Sequence, residues 1–181
     1  MSETHAQEDV TRRDFIYLGA GAFAGIGAAV ALVPLIDQMN PAADVRALAT
    51  IEVDLSSIAV GQQIKVMWQG KPVFVRRRTA EEISAAENVD LKELKDPATD
   101  EARHANQEEN GAEKPEWLIV VGICTHLGCI PLEGQGEYHG WFCPCHGSVY
   151  DTSGRIRKGP APKNLEKPKY TFLSDERILI G

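Results

Sequence analysis

Two short motifs that contain all four cysteines constrain this chain more than any other feature. The first motif is C-T-H-L-G-C at residues 124–129, and the second is C-P-C-H-G-S at residues 143–148. Each motif offers one thiolate and one imidazole as metal ligands, and each leaves one further cysteine. The sequence therefore predicts two loops that meet around one metal centre.

The spacing of the cysteines and histidines indicates which kind of metal centre the two motifs could hold. Zinc sites favour C-x(2–4)-C pairs, and plant-type iron–sulfur clusters use C-x4-C-x2-C. The C-x-C of the second motif is a poor arrangement for two thiolates on one ion. Two thiolates with two imidazoles match a [2Fe–2S] cluster in which His replaces Cys on one iron. The four predicted ligands are Cys124, His126, Cys143 and His146. Zinc on the same four side chains, or two plain disulfides, are the alternatives.

The two remaining cysteines, Cys129 and Cys145, lie one in each loop and could close a disulfide between the loops. A bonded pair would place them in an oxidising compartment such as a periplasm. Both motifs match the Rieske signature residue for residue, and Rieske ferredoxins and ring-hydroxylating dioxygenases lack the second cysteine pair. With its N-terminal features, the whole chain resembles the Rieske iron–sulfur subunits of ubiquinol–cytochrome c reductase (complex III) of alphaproteobacterial type.

This resemblance implies a function and a set of partners. The chain would be an electron-transfer subunit of an oxidoreductase and translocase, with one [2Fe–2S] Rieske cluster, and would not be active alone. It would accept one electron, coupled to a proton, from ubiquinol at the cytochrome b subunit and pass it to the membrane c-type cytochrome. The complex would contribute to proton translocation and be dimeric. The small Rieske subunit of an arsenite oxidase is the alternative, and a structural zinc domain is the rival from another class.

The resemblance also assigns roles to residues around the ligands. His146 is the implied hydrogen-bond partner of the quinol, with His126 as the second imidazole. Ser148 and Tyr150 fall where high-potential members carry hydroxyls that raise the potential of the cluster. Shielding of the cluster is assigned to Leu127, on the first loop, and to Pro160, in a proline loop at residues 159–162.

The N-terminal region predicts export and a membrane anchor. Arg12-Arg13 precedes an apolar run, which is typical of a Tat signal. Residues 15–36 carry no charge and would span about 33 Å, enough for a hydrocarbon core of about 30 Å. We expect residues 1–14 to be cytoplasmic, 15–39 to form an uncleaved transmembrane anchor in the bacterial inner membrane, and 40–49 to form a hinge linker. The net charge of −7 argues against a nucleic-acid partner.

From residue 50 the apolar pattern changes to a period of two, which predicts antiparallel strands. The predicted fold class is mainly β: an antiparallel Rieske-type β-sandwich head at 50–181, in the periplasm, with the cluster loops at one tip of a subdomain at about 118–163. A capping box at Thr79 predicts a short helix. Arg76-Arg77-Arg78 is expected to be a solvated strand edge, and the polar segment 96–116, including His104, an exposed loop.

Overall fold

The computed structural model describes residues 11–40, 42, 49–104 and 114–181, which form two compact units divided after Arg46. In the first unit, helix α1 spans Arg12–Asp37, and a capping box between Thr11 and Asp14 closes its N-terminus. An 18-residue stretch of this helix has a mean hydropathy of 2.0, and by length and composition the helix could cross a membrane. Most of the predicted hinge, residues 41 and 43–48, lies outside the described residues.

The second unit is built from three small antiparallel sheets, which confirms the mainly β prediction. The first sheet has the order β1 (Ile51–Asp54), β10 (Arg177–Ile180), β9 (Tyr170–Ser174). The middle sheet has the order β2 (Gln63–Trp68), β3 (Lys71–Arg77), β4 (Trp117–Val121). The third has the order β5 (Leu132–Glu133), β6 (His139–Cys143), β7 (Ser148–Asp151), β8 (Ile156–Lys158).

The middle sheet is apolar on both of its faces, because successive side chains of a strand point to opposite sides. Along β4, Ile119 and Val121 pack with the first sheet, whereas Leu118 and Val120 pack with the third sheet. The first of these cores is almost wholly aliphatic and aromatic. The second also contains Cys124. The middle sheet is therefore a wall between a structural core and the core behind the cysteine motifs.

Residues 122–165, which follow β4, begin and end at nearly the same point beside the first two sheets. The amide of Val121 donates to the carbonyl of Glu166 at 2.7 Å, and the next amide, of Gly122, donates to the carbonyl of Pro72 at 2.7 Å. We call residues 122–165 the cluster lobe. The lobe contains β5–β8 and both cysteine motifs.

A segment between β3 and β4 packs against the cluster lobe. It begins with helix α2 (Ala80–Glu87), whose capping box starts at Thr79, continues through a 3₁₀ turn (Leu91–Glu93) and ends in the short helix α3 (Asp100–His104). We call residues 79–104 the insertion. The capping box thus confirms the predicted helix start. Residues 105–113 lie outside the described part of the chain.

The arginines at the end of β3 are not a solvated edge, so that expectation was wrong. Arg78 is 1% exposed and makes a bidentate pair with Asp100, with Nη1–Oδ1 at 2.6 Å and Nη2–Oδ2 at 3.0 Å. Arg76 is also buried and bridges Glu82 of α2 and Glu133 of β5. Charges are buried in proteins when they are paired, and the partners Asp100 and Glu133 lie 22 and 57 positions from their arginines.

The polar segment predicted as an exposed loop is also partly buried. Asp100, Arg103 and His104 are each less than a tenth exposed. Burial raises the pKa of Asp100, but hydrogen bonds from Arg78 and Ser153 and the charge of Arg78 outweigh it, so the pKa lies below its usual range. Arg103 donates from Nε to the carbonyl of Ser153 at 3.0 Å. The insertion is thus joined to the lobe by buried polar contacts.

Candidate metal centre

The two cysteine motifs form loops that are closed by the same backbone hydrogen bond. In the first loop the amide of Gly128 donates to the carbonyl of Cys124 at 3.0 Å. In the second, the amide of Gly147 donates to the carbonyl of Cys143, also at 3.0 Å. Both glycines have positive φ, 82° and 78°, a conformation that a residue with a Cβ adopts at a cost. Each loop therefore starts at a cysteine and returns on itself four residues later.

The two thiols that start the loops lie side by side at the inner end of the site. Cys124 and Cys143 are each 2% exposed, and their side chains are within hydrogen-bonding distance. Burial and the adjacent Cys124 raise the pKa of Cys143 to about 12. For Cys124 burial also raises the pKa, but hydrogen bonds, first from Tyr150, bring it below its usual value. A bound cation favours the thiolate form of both side chains, which suits a metal centre.

The two imidazoles lie together on the outer side. The ring centroids of His126 and His146 are 4.6 Å apart, and the ring planes are at 87°. His146 is exposed and His126 is partly buried. The structure therefore places two of the predicted ligands, the thiols, side by side on the inner side and the other two, the imidazoles, side by side on the outer side. This donor set fits an iron–sulfur cluster in which His replaces Cys on one iron.

Two hydroxyl groups reach the inner side of the site. Tyr150 Oη donates to Cys124 Sγ at 3.3 Å and accepts from the amide of Thr125 at 3.2 Å. The same Oη also lies 3.3 Å from the hydroxyl of Thr125, so both polar groups of Thr125 contact Tyr150. The hydroxyl of Ser148 accepts from the amide of Ala161 at 3.1 Å. Both hydroxyl-bearing side chains are almost fully buried, so water does not compete for these contacts.

The loop at residues 159–162 covers a third side of the site. Ala161 is fully buried and belongs to the same core as Cys124 and Cys143. Pro160, in the same loop, is exposed, and Leu127 on the first loop is 70% exposed. These two apolar side chains lie on the outer surface, as the imidazole of His146 does.

The two further cysteines are neighbours, although the structure contains them as free thiols. A hydrogen bond between them raises the pKa of Cys129. The sulfurs of Cys129, Cys143 and Cys145 lie within 4.8 Å of one another. Geometry alone thus also groups three thiols, a set that sequence reasoning did not consider.

Other polar groups of the lobe lie apart from the ligands. His139 lines a cavity of about 510 Å³ beside α2, and none of the lining residues of this cavity belongs to the two motifs. Sequence reasoning gave no role to Thr125, Asp96 and Asn164, which the structure links to the site or to the loop at 159–162. Their contacts join segments far apart in sequence, so no local sequence pattern could have predicted these contacts.

Comparisons with known proteins define the class of the protein. A family model described as "Rieske [2Fe-2S] domain" matches residues 99–169, and one described as "Ubiquitinol-cytochrome C reductase Fe-S subunit TAT signal" matches residues 1–42. The chain is thus a Rieske protein with a Tat signal, and its cofactor is a Rieske [2Fe–2S] cluster.

Relatives of the whole chain narrow the class to one family. The "Ubiquinol-cytochrome c reductase iron-sulfur subunit" of Rickettsia felis is 57% identical, over 99% of this chain and 98% of the relative. The subunit of the same name from Bradyrhizobium diazoefficiens is 53% identical over 100% of both chains. The structure titled "Hyperthermophilic respiratory Complex III" is 27% identical, covers 90% of this chain and 98% of its own, and has a TM-score of 0.49.

The chain belongs to the family of Rieske iron–sulfur subunits of ubiquinol–cytochrome c reductase. It is therefore a subunit of an oxidoreductase complex, and the arsenite oxidase alternative is not favoured. The Tat signal and the apolar helix α1 are typical of a membrane-anchored subunit.

Proposed function

We propose that this chain takes one electron from ubiquinol at the cytochrome b subunit and delivers it to the c-type cytochrome of the same complex. The proposed ligands of its [2Fe–2S] cluster are Cys124, His126, Cys143 and His146. The observation that carries this assignment is the polarity of the site: two buried thiols lie inward, and two imidazoles with ring centroids 4.6 Å apart lie outward.

The three-thiol group is the competing ligand set, and its chemistry is less suitable. It would use the exposed Cys145 and leave the buried thiol of Cys124 and both imidazoles without a metal. The proposed set uses one Cys and one His from each loop, and the hydroxyl of Tyr150 then donates to a ligand sulfur. Cys129 and Cys145 remain as a neighbouring pair.

When bound, the cluster supplies a one-electron acceptor with a potential of about −150 to +300 mV, against about −400 mV for plant-type ferredoxins. The protein side chains adjust this value through hydrogen bonds to sulfur. Tyr150 directs its proton to Cys124 Sγ at 3.3 Å. Ser148 accepts the amide proton of Ala161, and it would donate its own hydroxyl proton to a sulfur of the cluster.

The exposed edge of His146 is the proposed contact for ubiquinol. An imidazole uses one ring nitrogen for metal and keeps the other for a hydrogen bond, so His146 can hold the proton that accompanies the electron. His126 lies against it and is less exposed. The apolar side chains of Leu127 and Pro160 would exclude water from this contact and dock on the partner surface.

The remaining thiols are proposed to form a disulfide between Cys129 and Cys145 that ties the two loops together. Replacing both with serine should loosen the outer side of the site and lower cluster content in purified complex. The measurement is acid-labile sulfide and iron per subunit, with the midpoint potential of the remaining cluster. Unchanged cluster content and potential would contradict a structural role for this bond.

The cellular arrangement is part of the proposal. Residues 1–14 would face the cytoplasm, 15–39 would span the bacterial inner membrane, 40–49 would act as a hinge, and the head at 50–181, with its cluster subdomain at about 118–163, would lie in the periplasm. The apolar run of α1 and the Tat signal support this topology. The complex with cytochrome b and the c-type cytochrome would be dimeric and would contribute to proton translocation.

Electron paramagnetic resonance (EPR) of native membranes tests the proposal. Reduction with ascorbate alone should produce a Rieske signal, because the cluster has a high potential. Stigmatellin, an inhibitor of the quinol-oxidation site, should change its line shape. A signal that appears with dithionite but not with ascorbate would contradict the high potential. An EPR line shape that does not change with the inhibitor would contradict contact between the cluster and the quinol. Zinc without iron in the purified protein would contradict the presence of the cluster.

A further inference from the structure

The loop at residues 159–162 is closed at its base by one buried side chain. Asn164 is 7% exposed, and its Oδ1 accepts from the amide of Ile156 at 2.9 Å. Ile156 precedes the loop and Asn164 follows it. The side chain therefore spans the base of the loop and fixes the distance between its two ends.

A residue from outside the cluster lobe orients this side chain. Asn164 donates from Nδ2 to the backbone carbonyl of Asp96, and from its own amide to Asp96 Oδ2, both at 2.9 Å. An asparagine has distinct donor and acceptor ends. With Nδ2 directed at Asp96, only Oδ1 can face Ile156. Asp96 belongs to the insertion, so the insertion determines how the loop is closed.

The other end of this loop is pressed against the second cysteine motif. A Cβ at Gly159 would lie 2.5 Å from the Cα of Ser148, which is closer than atoms can approach. Two residues further on, Ala161 donates its amide to Ser148 Oγ at 3.1 Å. A serine hydroxyl has one proton and can also accept. Because its oxygen accepts from Ala161, the proton of Ser148 is turned away from that amide, and the side chain also makes a hydrogen bond to the thiol of Cys124.

We infer that Asn164, held by Asp96, is a positioning residue for the electron-transfer reaction. By closing the loop it keeps the amide of Ala161 on Ser148, and so keeps the serine proton directed at the cluster. The inference rests on the proposed function, in which Ser148 would donate its proton to a sulfur of the cluster. Neither Asn164 nor Asp96 contacts the cluster in this account.

The first test is a redox titration of the Rieske EPR signal in membranes that contain the full complex. Asn164→Ala should lower the midpoint potential with the cluster retained. The matched control is Asn88→Ala, since the side-chain amide of Asn88 also donates to a backbone carbonyl, that of Ser84 in α2. The midpoint potential of this control should equal that of the wild type. Combining Asn164→Ala with Ser148→Ala should give no lower potential than Ser148→Ala alone, because both changes act on one hydrogen bond.

Hydrogen exchange in the purified complex gives an independent measurement. The Ala161 amide should exchange about tenfold faster in Asn164→Ala, as expected when one hydrogen bond of ordinary strength is lost. In Asn88→Ala its exchange should match the wild type. Asp96→Ala should lower the midpoint potential and should also reduce the protection of the Ala161 amide from exchange. Asp96→Asn keeps an oxygen acceptor, so its midpoint potential and its Ala161 exchange rate should match those of the wild type. These two variants leave the sequence of the cluster lobe unchanged, and they test the inference if Asn164→Ala does not assemble.

The inference is overturned by wild-type midpoint potentials in Asn164→Ala or, if that variant does not assemble, in Asp96→Ala. It is also overturned if the Asn164 and Ser148 effects add. A wild-type potential in Ser148→Ala would remove the proposed role of Ser148 and the inference with it. A lowered potential in Ser148→Ala with no effect of Asn164 or Asp96 would remove the inference alone.

Discussion

The two faces of the middle sheet differ in what fixes their geometry. Ile119 faces a core of aliphatic and aromatic side chains, in which stability depends on how well the volume is filled. Leu118, its neighbour in β4, faces the core that holds the cysteines. That second core is bordered by buried pairs such as Arg78–Asp100 and Arg155–Asp151. Apolar packing has no directional requirement, whereas a paired charge with its hydrogen bonds requires its partner at one distance and angle.

This difference suggests why the polar contacts are found on the side of the metal centre. Arg155 pairs with Asp151 at 2.8 Å and donates to the carbonyl of Ala86 at 2.8 Å. A guanidinium with fixed donors sets the orientation of the groups around it. The lobe is thereby held in one position against the insertion, which a nonspecific apolar contact would achieve less strictly.

The largest effect is expected from breaking the most buried pair. Arg78→Met should destabilise the head by about 3–5 kcal/mol, because it leaves the Asp100 carboxylate buried without its cation. Urea unfolding of the head measures this change. The control is Arg177→Met, since Arg177 is exposed and lies 3.9 Å from Glu52, and exposed pairs contribute about 0–1 kcal/mol. Equal losses in the two variants would remove the distinction between the two cores.

The next pair of variants compares the two faces of β4 directly. Ile119→Ala and Leu118→Ala should each cost about 2–5 kcal/mol, since both side chains are fully buried. Only Leu118→Ala should also change the midpoint potential, because it shares a core with Cys124 and Cys143. Redox titration and urea unfolding are measured on the same samples. A shifted potential in Ile119→Ala would show that the middle sheet does not separate the two cores.

A smaller effect is expected from the hydroxyl groups of the site. Tyr150→Phe and Ser148→Ala should each lower the midpoint potential with the cluster retained, because a hydrogen bond to sulfur is lost. For a one-electron couple, about 59 mV corresponds to a tenfold change in the equilibrium constant, which is the scale of one such bond. A titration with no shift in either variant would contradict the tuning role.

The last prediction concerns the pH dependence of stability that the same buried pair produces. The pKa of Asp100 is lowered in the folded state, so its contribution is complete above the unfolded pKa of about 3.9 and is lost as pH falls further, through the folded pKa. The wild-type head should therefore lose stability steeply below about pH 4. Asp100→Asn should be less stable at pH 7 but show a shallower slope in this range. Unfolding curves at a series of pH values measure both, and equal slopes would contradict the role of Asp100.

Local pattern was sufficient for much of the molecule. The motif at residues 143–148 and the period-two runs predict a β head with paired loops, and Thr79 predicts the start of α2. The burial of Arg78 was not predictable, because its partners Asp100 and Ser153 are 22 and 75 positions away. A run of three arginines has the same local pattern in solvent as in a buried network, and only the tertiary fold distinguishes them.

The contacts of the candidate metal centre were also only partly predictable from the sequence. Spacing was enough to predict two cysteine–histidine loops, and the structure places their first cysteines next to each other and their imidazoles next to each other. The contact of Asp96 with Asn164 spans 68 positions, and neither residue belongs to a motif. The division of the head into three sheets was also not evident, because strands of two to five residues such as β5 and β6 carry too few alternations to define a sheet.

The cluster lobe begins after Val121 and ends before Glu166, and these two residues are hydrogen-bonded to each other. The lobe could therefore be gained or lost as one unit during evolution. A recombination event at this seam would insert or remove residues 122–165 as one cassette, because its entry and exit are joined by a single 2.7 Å hydrogen bond. The acceptor scaffold needs only two adjacent strand ends. A transplanted cassette would still lose the partners that Arg155 finds at the carbonyls of Ala86 and Ala98, so the insertion would have to be inherited with it.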